Sequence, residues 1–159
     1  MTDHRYWGAL VVLVVAGLGA RIVRGRPLLP ARTFVLGRLD LAVALVALLA
    51  LGFHCAAMFF PSVVAVVGGT GGAAGMVREL GATSQGAYWM PAGLLLFALR
   101  GAWAPLLVAE AAALVAVGAT MFWDFGLLAH LTAIAGSVAV TVAVLTTMTA
   151  RVTRRPVPT

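Results

Sequence analysis

Lysine is absent from this chain, and acids nearly so. Its 159 residues include five Asp and Glu and eleven basic residues, all arginine, for a net charge of +6 at pH 7. Charged residues reach only 10%, where a soluble domain carries about 25%. That excludes a soluble globular protein, because too little polar surface exists to face water all round. One cysteine, Cys55, excludes an internal disulfide framework. Paired carboxylates are missing within the apolar runs, and no nucleophile, histidine and acid stand in a catalytic arrangement. The glycine-rich stretch 68–72 lacks the Lys-Ser/Thr of a phosphate loop and follows no soluble strand, which argues against nucleotide binding. No acidic motif suited to a metal-bound diphosphate occurs, so lipid or isoprenoid transfer chemistry is unsupported.

What is present is hydrocarbon. Hydrophobic residues make up 62% of the chain, and no extramembrane stretch is long enough to bury a core of its own. The class is all-α, an integral membrane helical bundle forming a single domain over 1–159. Residues 88–123 hold only two charges, Arg100 and Glu110. As one helix they would span about 54 Å, against about 30 Å of bilayer hydrocarbon. The run must fold back, and Arg100, Gly101, Ala102, Trp103, Ala104 and Pro105 mark the break.

Five spans are expected, at about 6–23, 39–60, 85–100, 102–123 and 126–149. They form a four-helix core plus an N-terminal helix. The N-terminal segment lacks the order of a cleavable signal, since its arginines follow the apolar run. It reads as a retained anchor with the N-terminus outside and the C-terminus cytoplasmic. Arg21, Arg24, Arg26, Arg32, Arg38, Arg100, Arg151, Arg154 and Arg155 then lie on the cytoplasmic side, with only Arg5 and Arg78 opposite. This is the positive-inside bias. A four-span chain would put the arginine-rich first loop and tail on opposite sides. The all-arginine, Ala/Val/Gly/Leu-rich usage suggests a GC-rich bacterial genome, and the location expected is the cell membrane. Tyr6, Trp7, Tyr88, Trp89, Trp103 and Trp123 fall at span ends, as an aromatic belt requires. Residues 61–84 read as an outer, glycine-rich loop with a short interfacial helix near 73–80, or as a re-entrant segment.

The polar residues inside the spans are few. His54 lies about 9 Å from the outer end of its helix and His130 about 6 Å from that of its own. Met58 shares a face with His54, Cys55 flanks them, and Met90, Met121 and Asp124 approach the same leaflet. Imidazole, thiolate and thioether suit copper(I), and His with Cys suits zinc. His54, Cys55, Met58, Met121 and His130 are therefore candidate metal ligands. A b-type haem between His54 and His130 is a second candidate. Against both stands ordinary packing, because Met fills apolar cores and a free Cys behaves as a small hydrophobe. Glu110 is the one acid deep inside a span, about 12 Å from the cytoplasmic end. It is a candidate proton relay or ligand for a polar head group, with Ser137 and Thr141 as partners. The alternative is a neutral glutamic acid bonded to a neighbouring helix. His130, Ala133, Ser137 and Thr141 share one face of their helix. Asp40 is expected in an ion pair near Arg38 or as a helix N-terminal acid. Ala112, Ala116 and Thr120, and Ala135 and Ala139, recur at a spacing that lets helices approach closely.

From about 34 to 149 the chain resembles the DoxX-like group of small four-helix membrane proteins. The residues that carry this are Leu36, Gly37 and Arg38, opening an apolar helix, and the run from Pro91 to Arg100 and Gly101. The acid that the group places before its Gly-Leu-Leu run is Trp89-Met90 here, the lysine that often ends its first helix is missing, and the 6–23 helix is additional. The resemblance implies an accessory subunit linked to membrane redox chemistry and carries over no functional residue. The function expected is a non-catalytic accessory or assembly subunit of a larger membrane complex. A metal- or haem-binding redox protein and a small oligomeric transporter are the alternatives. The expected partners are the lipid bilayer and a membrane protein or further copies of the chain, with no nucleic acid.

Overall fold

The computed structural model describes residues 15, 36–66, 71–79, 84–123 and 125–150. Among these, every regular element is a helix. The expected first span, 6–23, lies outside the described residues apart from Val15, as do the arginine-rich loop after it, the 151–159 tail and Asp124.

From residue 36 on, the described residues form six helices in succession: α1 Arg38–Phe59, α2 Pro61–Val66, α3 Gly71–Glu79, α4 Ser84–Ala98, α5 Ala104–Phe122 and α6 Leu127–Ala150. Their limits follow from local chemistry. Asp40 sits in the first turn of α1, where a negative charge suits the helix dipole. Pro61 ends α1 and opens α2, since a missing N–H costs nothing at a first helical position. Pro105 does the same in the first turn of α5. Before it, the Ala102 N–H closes a turn on the Leu99 carbonyl at 2.8 Å. Trp123 then leaves the helix in an extended conformation and caps it through the Ala119 carbonyl.

The expected spans 39–60, 102–123 and 126–149 correspond to α1, α5 and α6, and all three are long and apolar enough to cross a membrane. The span at 85–100 forms α4, but at 15 residues it covers only about 22 Å. It holds Pro91 in its interior, where no N–H is available for the Ala87 carbonyl. The segment 61–84 differs from the loop expected. It contains two helices, and the short helix placed near 73–80 runs from Gly71 to Glu79. The first, α2, forms because Pro61 supplies a helix start, followed after Ser62 by the apolar run Val63–Val66.

The chain divides into two compact units. One includes Val43–Leu95, hence most of α1, all of α2 and α3, and most of α4. Here Ala57, Val64 and Val77 form a small buried cluster, with Phe53, Ala56 and Met58 packed on it. The other includes the start of α1 up to Ala42 and everything from Leu96 onward. Its centre is a hairpin of α5 on α6. On α6 the buried residues His130, Ser137, Thr141, Val144 and Met148 alternate by threes, fours and their sum, which is the seam of two packed helices. Glu110, Leu114 and Val117 make the matching seam on α5.

The outward surface is apolar. Leu49, Val108 and Leu128 are 73%, 67% and 79% exposed, while the polar Glu110, His130, Ser137 and Thr141 are buried. The exposed threonines Thr132, Thr146 and Thr149 return their hydroxyls to carbonyls four residues back. Hydroxyls satisfied within their own helix need no water. Apolar outside and polar inside is the arrangement a lipid solvent favours.

Candidate functional site

The site with the clearest geometry lies in the α5–α6 hairpin. Glu110, six residues into α5, is fully buried. Thr141 Oγ1 on α6 lies 2.7 Å from Glu110 Oε1. The same hydroxyl lies 2.8 Å from the Ser137 carbonyl, one turn back. Glu110 Oε2 is buried without a hydrogen-bond partner. The expected grouping of Glu110, Ser137 and Thr141 is thus assembled, with Ser137 contributing its backbone oxygen. Neither α5 nor α6 carries an arginine, so no cation from the hairpin's own helices faces the carboxyl.

A second polar rung sits nearer the closed end of the hairpin. Thr120 Oγ1 is 2.9 Å from His130 Nδ1 and 2.9 Å from the Val117 carbonyl. One hydroxyl serves both contacts when Thr120 donates its proton to the carbonyl and accepts from Nδ1–H. The rungs Thr120 with His130 and Glu110 with Thr141 centre on Phe125 and on the Phe125–Gly126 step, so a single antiparallel register produces both.

In the same unit, at the α4–α5 turn, Arg100 pairs with Asp40 at 3.2 Å. The Arg100 guanidinium also donates to the Phe97 carbonyl and lies 4.2 Å from the centre of the Phe97 ring. Asp40 therefore makes an ion pair, as expected, but with an arginine sixty residues away. Sequence proximity pointed to Arg38, whereas the fold brings the first turn of α1 to the α4–α5 turn.

The candidate metal ligands are divided between the two units, His54, Cys55 and Met58 in the first and Met121 and His130 in the second. In the first unit His54 is buried, with its ring centre 6.1 Å from that of Tyr88. Tyr88 is 1% exposed and stands edge-on to Trp89 at 5.0 Å. It belongs to the interior rather than to an aromatic belt, while Trp89, Trp103 and Trp123 are exposed as a belt requires. Cys55 is a half-buried free thiol. Met58 packs on the Ala57, Val64 and Val77 cluster, a filling role. Met121 is half-buried near the end of α5 and His130 is engaged with Thr120. Among the described residues no three His, Cys, Asp or Glu side chains gather into a group that could hold a metal ion. Sequence reasoning missed Tyr88, Thr120 and the Asp40–Arg100 pair. The hairpin register would have given Thr120, once its centre was placed at Phe125. Nothing in the sequence signalled the other two.

The described residues thus define an all-helical protein with three helices fit to cross a membrane. Comparison with family models, curated proteins and solved structures returns no match.

Proposed function

We propose that this chain is a five-span protein of the bacterial cell membrane, N-terminus outside, that serves as an accessory or assembly subunit of a larger membrane complex. One observation carries the partner reading. Ala135, Gly136, Ala139 and Ala143 form a face of α6 that is exposed, and a Cβ added at Gly136 would meet nothing within 4 Å. Small residues at this spacing let another helix approach closely in lipid. The sequence alone suggested that Ala135 and Ala139 pack inside the bundle, yet both are exposed, and in this reading the helix that covers them comes from another molecule. The reading of α1 and α4 as two successive crossings draws support from the Asp40–Arg100 pair. Crossing in α1 and returning in α4 brings both residues to one side, as their contact requires, and the outside N-terminus itself rests on the arginine distribution. The link to redox chemistry rests on the DoxX-like resemblance alone.

The test is purification of the tagged protein from its own host in mild detergent, with the mass of the intact assembly measured. The expected result is a stoichiometric second membrane protein that is lost in Ala139→Trp, while the variant remains helical. Recovery of the wild type as a monomer would overturn the partner reading. Recovery as a homo-oligomer would replace the accessory role with self-association.

A further inference from the structure

We infer that Glu110 is a proton-binding site, a carboxyl group that carries its proton inside the α5–α6 hairpin and hands it to Thr141 as a hydrogen bond. The argument counts protons. Thr141 Oγ1 has one hydrogen and stands 2.7 Å from Glu110 Oε1 and 2.8 Å from the Ser137 carbonyl. A carbonyl can only accept. Thr132, Thr146, Thr147 and Thr149 on the same helix all donate to the carbonyl four residues back, at 2.8 to 2.9 Å. Thr141 stands at the same distance from its own carbonyl, that of Ser137, and with its hydrogen assigned there as in the other four the hydroxyl is left to accept from Glu110. The remaining 2.7 Å contact is then an O–H···O bond whose hydrogen comes from Glu110.

The other oxygen agrees. Glu110 Oε2 is buried with no partner. As the carbonyl of a neutral acid it carries a modest desolvation cost, whereas an unpaired carboxylate there would carry a far larger one. No charge on the hairpin helices favours ionisation: α5 has no other titratable side chain, and α6 has only His130, about 16 Å along the helix from Thr141. In the same unit, Arg100 at the turn is paired with Asp40. The ligand is therefore a single proton, and losing it would place an uncompensated charge in the seam between the two helices. The inference rests on the membrane location proposed above and not on the presence of a partner.

Infrared spectra of the full-length protein in lipid vesicles, in H2O and D2O, test it together with carbodiimide labelling. At neutral pH the wild type should show the carbonyl stretch of a protonated carboxyl, shifting on deuteration and absent from Glu110→Gln. In Thr141→Val the band should move to higher frequency, because the acid loses its acceptor. A hydrophobic carbodiimide, which attacks protonated carboxyls, should modify Glu110 in the wild type, and the labelling should fall about tenfold per pH unit once the site titrates. A neutral-pH wild type with no such band and no adduct at Glu110 would overturn the inference, as would a band unchanged in Glu110→Gln. Should that variant fail to fold, adduct mapping on the wild type decides alone. A band missing from protein that still holds a partner would sink the proton site only. A band present in protein that purifies alone would sink the accessory reading only.

Discussion

Two threonines explain how this chain keeps polar side chains inside an apolar hairpin. Thr141 and Thr120 each use one hydroxyl to serve a backbone carbonyl and a titratable side chain at once. A double-mutant cycle of Glu110→Gln with Thr141→Val should give a coupling of about 0.6 to 1.7 kcal/mol, the range of interhelical hydrogen bonds in lipid, read from unfolding in mixed micelles. The Asp40–Arg100 pair is a different case, because its side chains are 14% and 19% exposed for Arg100 and Asp40 respectively. Arg100→Gln should cost about 1 kcal/mol, discounted for partial solvent access. Faster proteolytic nicking at residues 99–103 would report it, and an unchanged rate would show that the pair contributes nothing.

At the scale of elements, stability is uneven. The short helix α3 is anchored by Val77, which is fully buried against Ala57 and Val64. Val77→Ala removes about 1.5 kcal/mol of burial. Amide exchange should accelerate over 71–79 and stay unchanged over 104–122, since the α5–α6 hairpin has its own seam. In α6, Gly136→Ala should stabilise the isolated protein by up to about 1 kcal/mol through helix propensity, because the added methyl meets nothing. The same substitution should weaken any helix that packs on that face. Gain of stability with unchanged association would place the partner elsewhere.

For the whole molecule the decisive quantity is the number of crossings. Reporter fusions after Arg26, Glu79, Gly101, Asp124 and Pro158 should alternate cytoplasmic, outside, cytoplasmic, outside, cytoplasmic. A cytoplasmic reporter after Glu79 would remove the α1 crossing and with it the five-span count. The element most exposed to this test is α4, whose 15 residues reach about 22 Å and need flanking residues to complete a span.

Much of the architecture was legible from composition and punctuation. The limits of α1, α4, α5 and α6 could be read within about two residues, because prolines and polar turn residues interrupt otherwise continuous apolar runs. The seam of α6 was legible for a similar reason, since a face holding His130, Ser137 and Thr141 is the one that lipid would reject. The 61–84 segment was only half legible: its glycines signalled a loop, while Pro61 and Val77 gave two helices anchors that composition does not weigh. Long-range pairings were beyond reach. Asp40 meeting Arg100, Tyr88 turning inward beside His54, and Met58 packing as filler all depend on which helix faces which, and a chain apolar on every face carries no periodic signal for that. The sequence by itself determined that the chain is helical, where its apolar runs break and that Glu110 lies within one. Only tertiary structure decided that the Thr141 hydroxyl stands 2.7 Å from Glu110 and 2.8 Å from the Ser137 carbonyl at once, because a hydrogen-bond count needs distances, and distances between helices exist only after packing.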